Sequence, residues 1–85
     1  MRFEHKLESG LTFYYELGGK QENNLFVVRF SMGRVEDETT DFQFHSEVKS
    51  RDTFKEMQDL IELEKKYCLD RGFNKVKSTK RDVIT

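Results

Sequence analysis

The chain has 85 residues, of which 36% are charged and 35% hydrophobic, and its net charge is -1. That length makes one domain, and such complete cancellation of charge excludes a generic histone-like coat for nucleic acid. One cysteine, Cys68, excludes an internal disulfide, and no apolar run approaches the roughly 18–20 residues of a membrane span.

The first segment alternates, with Phe3, His5 and Leu7 on one face and Arg2, Glu4 and Lys6 on the other. Leu11, Phe13, Tyr15 and Leu17 repeat that period of two, which marks half-buried strands. Register selects the turn between them. A two-residue Ser9-Gly10 loop would set Glu8 against Leu11. A three-residue loop pairs Leu7 with Leu11, His5 with Phe13 and Phe3 with Tyr15. It also places Arg2 opposite Glu16 and assigns Gly10 the left-handed conformation that closes such a loop.

Residues 18–24, rich in glycine and asparagine, read as a flexible loop. Leu25 to Met32 reads as a central strand, because Phe26, Val28 and Phe30 face one way while Leu25 and Val27 make the other side apolar too. An acidic loop, Glu36-Asp37-Glu38, precedes a further alternating strand in which Phe42, Phe44 and Val48 are expected to face inward. The period then becomes helical. Ser50 and Asp52 can cap the start and Thr53-Phe54-Lys55-Glu56 fits a capping box; Phe54, Met57, Leu60, Ile61, Tyr67 and Cys68 form an apolar stripe; Gly72 ends the helix.

The expected fold is therefore α+β: a four-stranded antiparallel sheet in β-β-β-β-α order with one C-terminal helix packed on one face. Residues 1–73 form this domain, and residues 74–85 form a basic C-terminal tail or a short edge strand. The segment Met1–Lys6 lacks the apolar stretch of a signal peptide, and the lone cysteine suits a reducing compartment, so a cytoplasmic location is expected.

No enzyme site can be read, and no cofactor is expected. His5, His45 and Cys68 have no ligand-like spacing, and His5 and His45 are expected on opposite faces. Cys68 lies on the apolar stripe, where burial disfavours a thiolate. The carboxylates Glu36, Asp37, Glu38 and Asp41 have no base placed beside them by sequence. Charge distribution is more informative. Residues 34–64 hold four bases and ten acids, whereas residues 65–85 hold seven bases and two acids, a local charge of +5. The helix dipole favours bases only in the last turn and does not account for those beyond Gly72. Lys65, Lys66, Arg71, Lys75, Lys77, Lys80 and Arg81 are therefore the candidate contacts for RNA or another polyanion. The sheet face away from the helix should expose Tyr14, Leu25 and Val27, an apolar patch suited to a protein partner, a homodimer or stacked RNA bases.

Alanine, proline and tryptophan are absent, and the chain holds aromatic and Lys/Glu-rich runs such as Leu11-Thr12-Phe13-Tyr14-Tyr15-Glu16 and Glu62-Leu63-Glu64-Lys65-Lys66. In this the chain resembles the small accessory proteins of T-even-type phages. The resemblance implies a non-enzymatic regulatory protein of host takeover or counter-defence, acting in the host cytoplasm. It would be an inhibitor or antitoxin-like factor that binds RNA, or alternatively a protein-only inhibitor or adaptor using the apolar sheet face and the acidic loop.

Overall fold

The computed structural model describes residues 1–85. The elements follow in the order β1 (Arg2–Lys6), β2 (Thr12–Glu22), β3 (Leu25–Val35), β4 (Thr40–Arg51), α1 (Phe54–Asp70), β5 (Asn74–Val76) and β6 (Asp82–Ile84). The class is α+β, but the sheet is larger than the expected four antiparallel strands. It has six strands in the order β5-β1-β2-β3-β4-β6, and β6 runs parallel to β4. The two added strands are three residues each, too short for any alternation to show in the sequence.

The β1–β2 hairpin has the expected register: Phe3 pairs with Tyr15, His5 with Phe13 and Arg2 with Glu16. Leu7 donates its N–H to Leu11 at 2.8 Å, and Gly10 adopts φ 92°. Residues 18–22, expected in a flexible loop, instead extend β2, and the turn narrows to Asn23 and Asn24 with Asn23 at φ 55°. Gly19 can lie in a strand here because the helix needs the space. A Cβ on it would stand 2.9 Å from Ile61 Cδ1 and 3.1 Å from Met57 Sδ.

Register shifts between Met32 and Gly33, where Met32 pairs with His45 but Gly33 pairs with Gln43. Phe44 is thus the extra residue of a bulge, and the phase of β4 inverts beyond it. Hence Val48, expected inside, shares Arg29's face, away from the helix, and is 53% exposed. His45, expected outside, shares the face of Met32.

Helix α1 begins at the capping box, with Thr53 rather than Ser50 or Asp52 at the N-cap. Thr53 Oγ1 accepts from the Glu56 N–H at 3.2 Å and donates to the Glu56 carboxylate at 2.9 Å. It ends in a Schellman motif. Phe73 donates to the Cys68 carbonyl at 3.0 Å, and Gly72, at φ 88°, donates to Leu69 at 3.1 Å. Met57, Leu60 and Cys68 pack on Phe3, Tyr15, Leu17, Val28 and Phe30 to form the core. Each fully buried Phe there contributes on the order of 1.5–3 kcal/mol.

The C-terminal segment is part of the fold. Val76 ends β5 beside β1, and Asp82 starts β6 beside β4. The six intervening steps reach at most about 20–22 Å. Five strand spacings in a flat sheet would need about 24 Å. The sheet is accordingly curled, so that Arg2 on β1 meets Asp41 on β4 at 2.6 Å.

Candidate functional site

The face away from the helix is organised by charge. Arg2, 1% exposed, donates two hydrogen bonds to the Asp41 carboxylate, at 2.6 and 2.9 Å, and further bonds to Glu4 and Glu16 at 2.8 Å each. Arg81 donates to Asp41 Oδ1, the oxygen that also accepts from Arg2 Nη2, at 2.8 Å and to the carbonyls of Glu38, Thr40 and Asp37. Burial alone would lower the Arg2 pKa and raise that of Asp41. The hydrogen bonds overcome this on both sides, so Arg2 titrates above its ordinary value and Asp41 below the usual carboxylate range.

This lattice covers the expected apolar patch. The Arg2 guanidinium lies 4.6 Å from the Tyr14 ring centroid, and a Cβ on Gly33 would stand 2.8 Å from the same ring. Tyr14 is therefore enclosed between strand and guanidinium, 2% exposed, and its hydroxyl pKa is raised by burial and then by the Asp41 charge. Val27 is likewise buried, and of the three expected interface residues only Leu25 is exposed. Sequence reasoning missed Asp41 as an anchor. Its only signal was that Asp41 shares the outer face with Arg2, and nothing local shows that β4 curls back onto β1.

The expected basic surface divides in two. Arg81 is consumed by Asp41 and the β3–β4 loop, with its side chain 11% exposed, and is not available to phosphate. Lys65, Lys66, Arg71, Lys75, Lys77 and Lys80 form no ion pair with any carboxylate, unlike Arg2, Lys20, Arg29, Arg34, Lys55 and Arg81. All six are exposed except Lys65, which is half-buried. Their positions are linked. Met57 and Ile61 reach Gly19 on β2, so Lys65, one turn beyond Ile61, flanks the β1 side of the helix. Lys75 pairs with Phe3 beside that flank, and Arg71 caps the helix with its guanidinium 4.2 Å from the Tyr67 ring centroid. Comparison with protein-family models, curated proteins and solved structures returns no match.

A second exposed surface lies where the helix stops. Seventeen helical residues span about 26 Å. The twelve residues of β4 span about 40 Å. The helix starts over Phe26, whose ring centroid is 6.0 Å from that of Phe54, and ends over His5, which sits against Gly72 and Phe73. The rest of His5's row, Phe13, Arg34 and Phe42, has no helix above it. Phe44 joins them from the bulge. Its ring centroid is 6.2 Å from that of Phe13 and 5.7 Å from that of Phe42, and it is 51% exposed rather than in the expected core. The comparison of helix and strand lengths was the available signal for this surface.

The remaining titratable groups do not converge. His5 Nδ1 lies 3.2 Å from the Arg71 carbonyl, His45 faces Glu47 at 3.4 Å, and Cys68 is 1% exposed in the core. Burial and then the Glu64 charge push the Cys68 thiol up to about 11. Of the acidic group near the β3–β4 loop, Glu36 pairs with Arg34 at 2.7 Å and Asp37 accepts from the Thr39 N–H at 2.9 Å, as a loop-forming carboxylate does. No helix is long and apolar enough to cross a membrane.

Proposed function

We propose that this chain is a small non-enzymatic regulatory protein that binds RNA or another polyanion through Lys65, Lys66, Arg71, Lys75, Lys77 and Lys80. The observation that carries the reading is the division among the basic side chains. The buried and half-buried cations on the face away from the helix are spent on carboxylates; Lys6, Lys49 and Arg51 have none but stand apart, whereas these six without partners gather around the helix C-terminus, β5 and the crossover. A cation without an internal partner keeps its condensed-phase attraction for phosphate, and binding through it releases counterions. Such contacts position a strand and carry little sequence information. Inhibition of a host or defence factor, which the resemblance to phage accessory proteins implies, is the role this binding would serve. The protein-only alternative through Tyr14, Leu25 and Val27 keeps a single exposed residue of its three.

The test is a titration of labelled single-stranded RNA with wild type and with a Lys75→Gln/Lys77→Gln/Lys80→Gln variant, leaving Arg81 intact. If Lys75, Lys77, Lys80 and one more of the six touch phosphate, the log–log salt slope of the wild type is about -3, and the triple variant flattens it by about 2. Equal binding by both proteins, or no binding by wild type at low salt, removes this reading.

A further inference from the structure

We infer that the uncovered end of the helix-bearing face, formed by Phe13, Phe42 and Phe44 with Arg34, is a stacking platform for the bases of a single-stranded nucleic acid. The inference rests on the polyanion reading above and names the mode by which the strand is held.

Three observations lead to it. The first is exposure where burial was available. Phe44 is 51% exposed, although β1, β2 and β3 carry the core on this same face of the sheet. The bulge between Met32 and Gly33 fixes this geometry, since a Cβ on Gly33 would stand 1.9 Å from the Phe42 carbonyl oxygen. A bulge adds a residue to one strand and re-aims its side chain. Here it holds Phe44 against Phe13 and Phe42 on the open side.

The second is the type of side chains gathered. The Arg34 guanidinium carbon lies 4.8 Å from the Phe42 ring centroid and 6.0 Å from that of Phe44. Arg34, ion-paired to Glu36 at 2.7 Å, layers on the half-buried Phe42 ring beside exposed Phe44, so a guanidinium and a ring offer two kinds of flat surface to a base, both sequence-tolerant because every base has a π-face.

The third is position relative to charge. His5 pairs directly with Phe13, and its Nδ1 lies 3.2 Å from the carbonyl of Arg71, the first residue past the helix. One side chain thus separates the platform from the backbone of Arg71, one of the cations that lack carboxylate partners. A groove or rim that tracks phosphates beside aromatic side chains that stack bases is the combination single-strand binding uses. Duplex nucleic acid offers the phosphates but keeps its bases stacked internally, so the platform selects single strands.

The experiment uses a fluorescein-labelled uridine oligomer of about twelve nucleotides, within the range one small domain covers. It is titrated at low salt against wild type, Phe44→Ala and Phe44→Trp, with a duplex of equal length as competitor. Circular dichroism melts confirm that each variant is folded. Phe44→Ala is expected to weaken binding on the order of tenfold, the loss typical of one stacked base, with the salt slope unchanged because the ring carries no charge. Phe44→Trp is expected to retain binding and, in a protein with no other tryptophan, to show quenched emission when the oligomer is added. The duplex should compete poorly. Undiminished binding by Phe44→Ala, an unquenched Phe44→Trp, or a duplex that competes as well as the single strand overturns the platform while leaving the polyanion reading in place. No binding by wild type overturns both. Sedimentation of nucleic-acid-free wild type as a dimer that Phe44→Ala converts to a monomer assigns the patch to a second copy of the chain and overturns the inference.

Discussion

The two faces of this sheet are held by different physics. On the helix-bearing face, Phe3, Tyr15, Leu17, Val28 and Phe30 meet Met57, Leu60 and Cys68, and stability follows from apolar area removed from water. On the opposite face, Arg2, Asp41 and Arg81 converge over Tyr14, and stability follows from hydrogen-bonded charge. The first arrangement tolerates adjustment, because dispersion is non-directional and neighbours relax. The second does not. Replacing all of a buried ion cluster by apolar groups is often harmless, but removing one member leaves the others buried and uncompensated. A small domain with a modest core has thus placed a point as mutation-sensitive as that core outside it.

The sharpest way to break the comparison is to remove Asp41. Asp41→Ala removes the carboxylate that Arg2 and Arg81 share, leaving Arg2 with Glu4 and Glu16 and Arg81 with carbonyls only, and the expected cost is up to about 3–5 kcal/mol, comparable to the roughly 2–5 kcal/mol of Leu60→Ala in the core. Acidity separates the two. The native environment holds the Asp41 carboxyl below its ordinary value of 3.8. Its contribution is therefore present above that value and lost as pH falls through the lower, native one. Thermal melts near neutrality and at about pH 2–3 should show the gap between wild type and Asp41→Ala narrowing in acid, while the gap to Leu60→Ala stays constant. A gap that stays constant for Asp41→Ala would mean that the carboxylate acts only by filling space.

Legibility in the sequence follows the same division. The helix-bearing face was readable because alternation and capping are local. Thr53 and Glu56, or Gly72 and Phe73, lie within a few residues of the structure they specify. The charged face joins residues 2, 41 and 81 through sheet curl, and no short window contains that information. Tyr14 and Val27 were consequently expected at an open surface, and Arg81 was grouped with free cations. The bulge at Phe44 is an intermediate case. Alternation continues through Phe42, Phe44 and Val48 in the sequence, but the extra residue Phe44 resets the phase at a bulge that Gly33, with no Cβ to meet the Phe42 carbonyl, permits. The lysines around β5 were legible as a charge excess, and what the sequence lacked was which of the basic residues already had partners.

A turn that serves both faces gives a smaller effect. Gly10 closes the β1–β2 hairpin at φ 92° and thereby fixes the register that puts Phe3 inside and Arg2 outside. No atom lies within 4 Å of a Cβ built on it, so a substitution there is penalised by backbone conformation alone. Gly10→Val is expected to cost on the order of 1–2 kcal/mol, because a β-branched residue is strained in the left-handed region. For a chain this short that is a fall in melting temperature of about 4–16 °C. An unchanged melting temperature would show that the hairpin adopts another turn without losing register.

The smallest expected effect belongs to Lys75→Gln/Lys77→Gln/Lys80→Gln. All three side chains are exposed and none forms an ion pair, so their removal breaks no native interaction on either face. Lys75 sits in β5, but its place in the ladder depends on backbone pairing with Phe3, which glutamine preserves. Stability should stay within about 0.5 kcal/mol of wild type, the range of ordinary surface substitutions. Relief of mutual repulsion among like charges would make any change slightly favourable, more so at low salt. A loss above about 1 kcal/mol in a denaturant titration would mean that these lysines hold the crossover in place, as Arg81 does, and would make them a third structural region rather than a binding surface. Near-neutral stability combined with weakened RNA binding in the same variant is the result that separates the two roles, because a lysine needed by the fold cannot be removed without a thermodynamic trace.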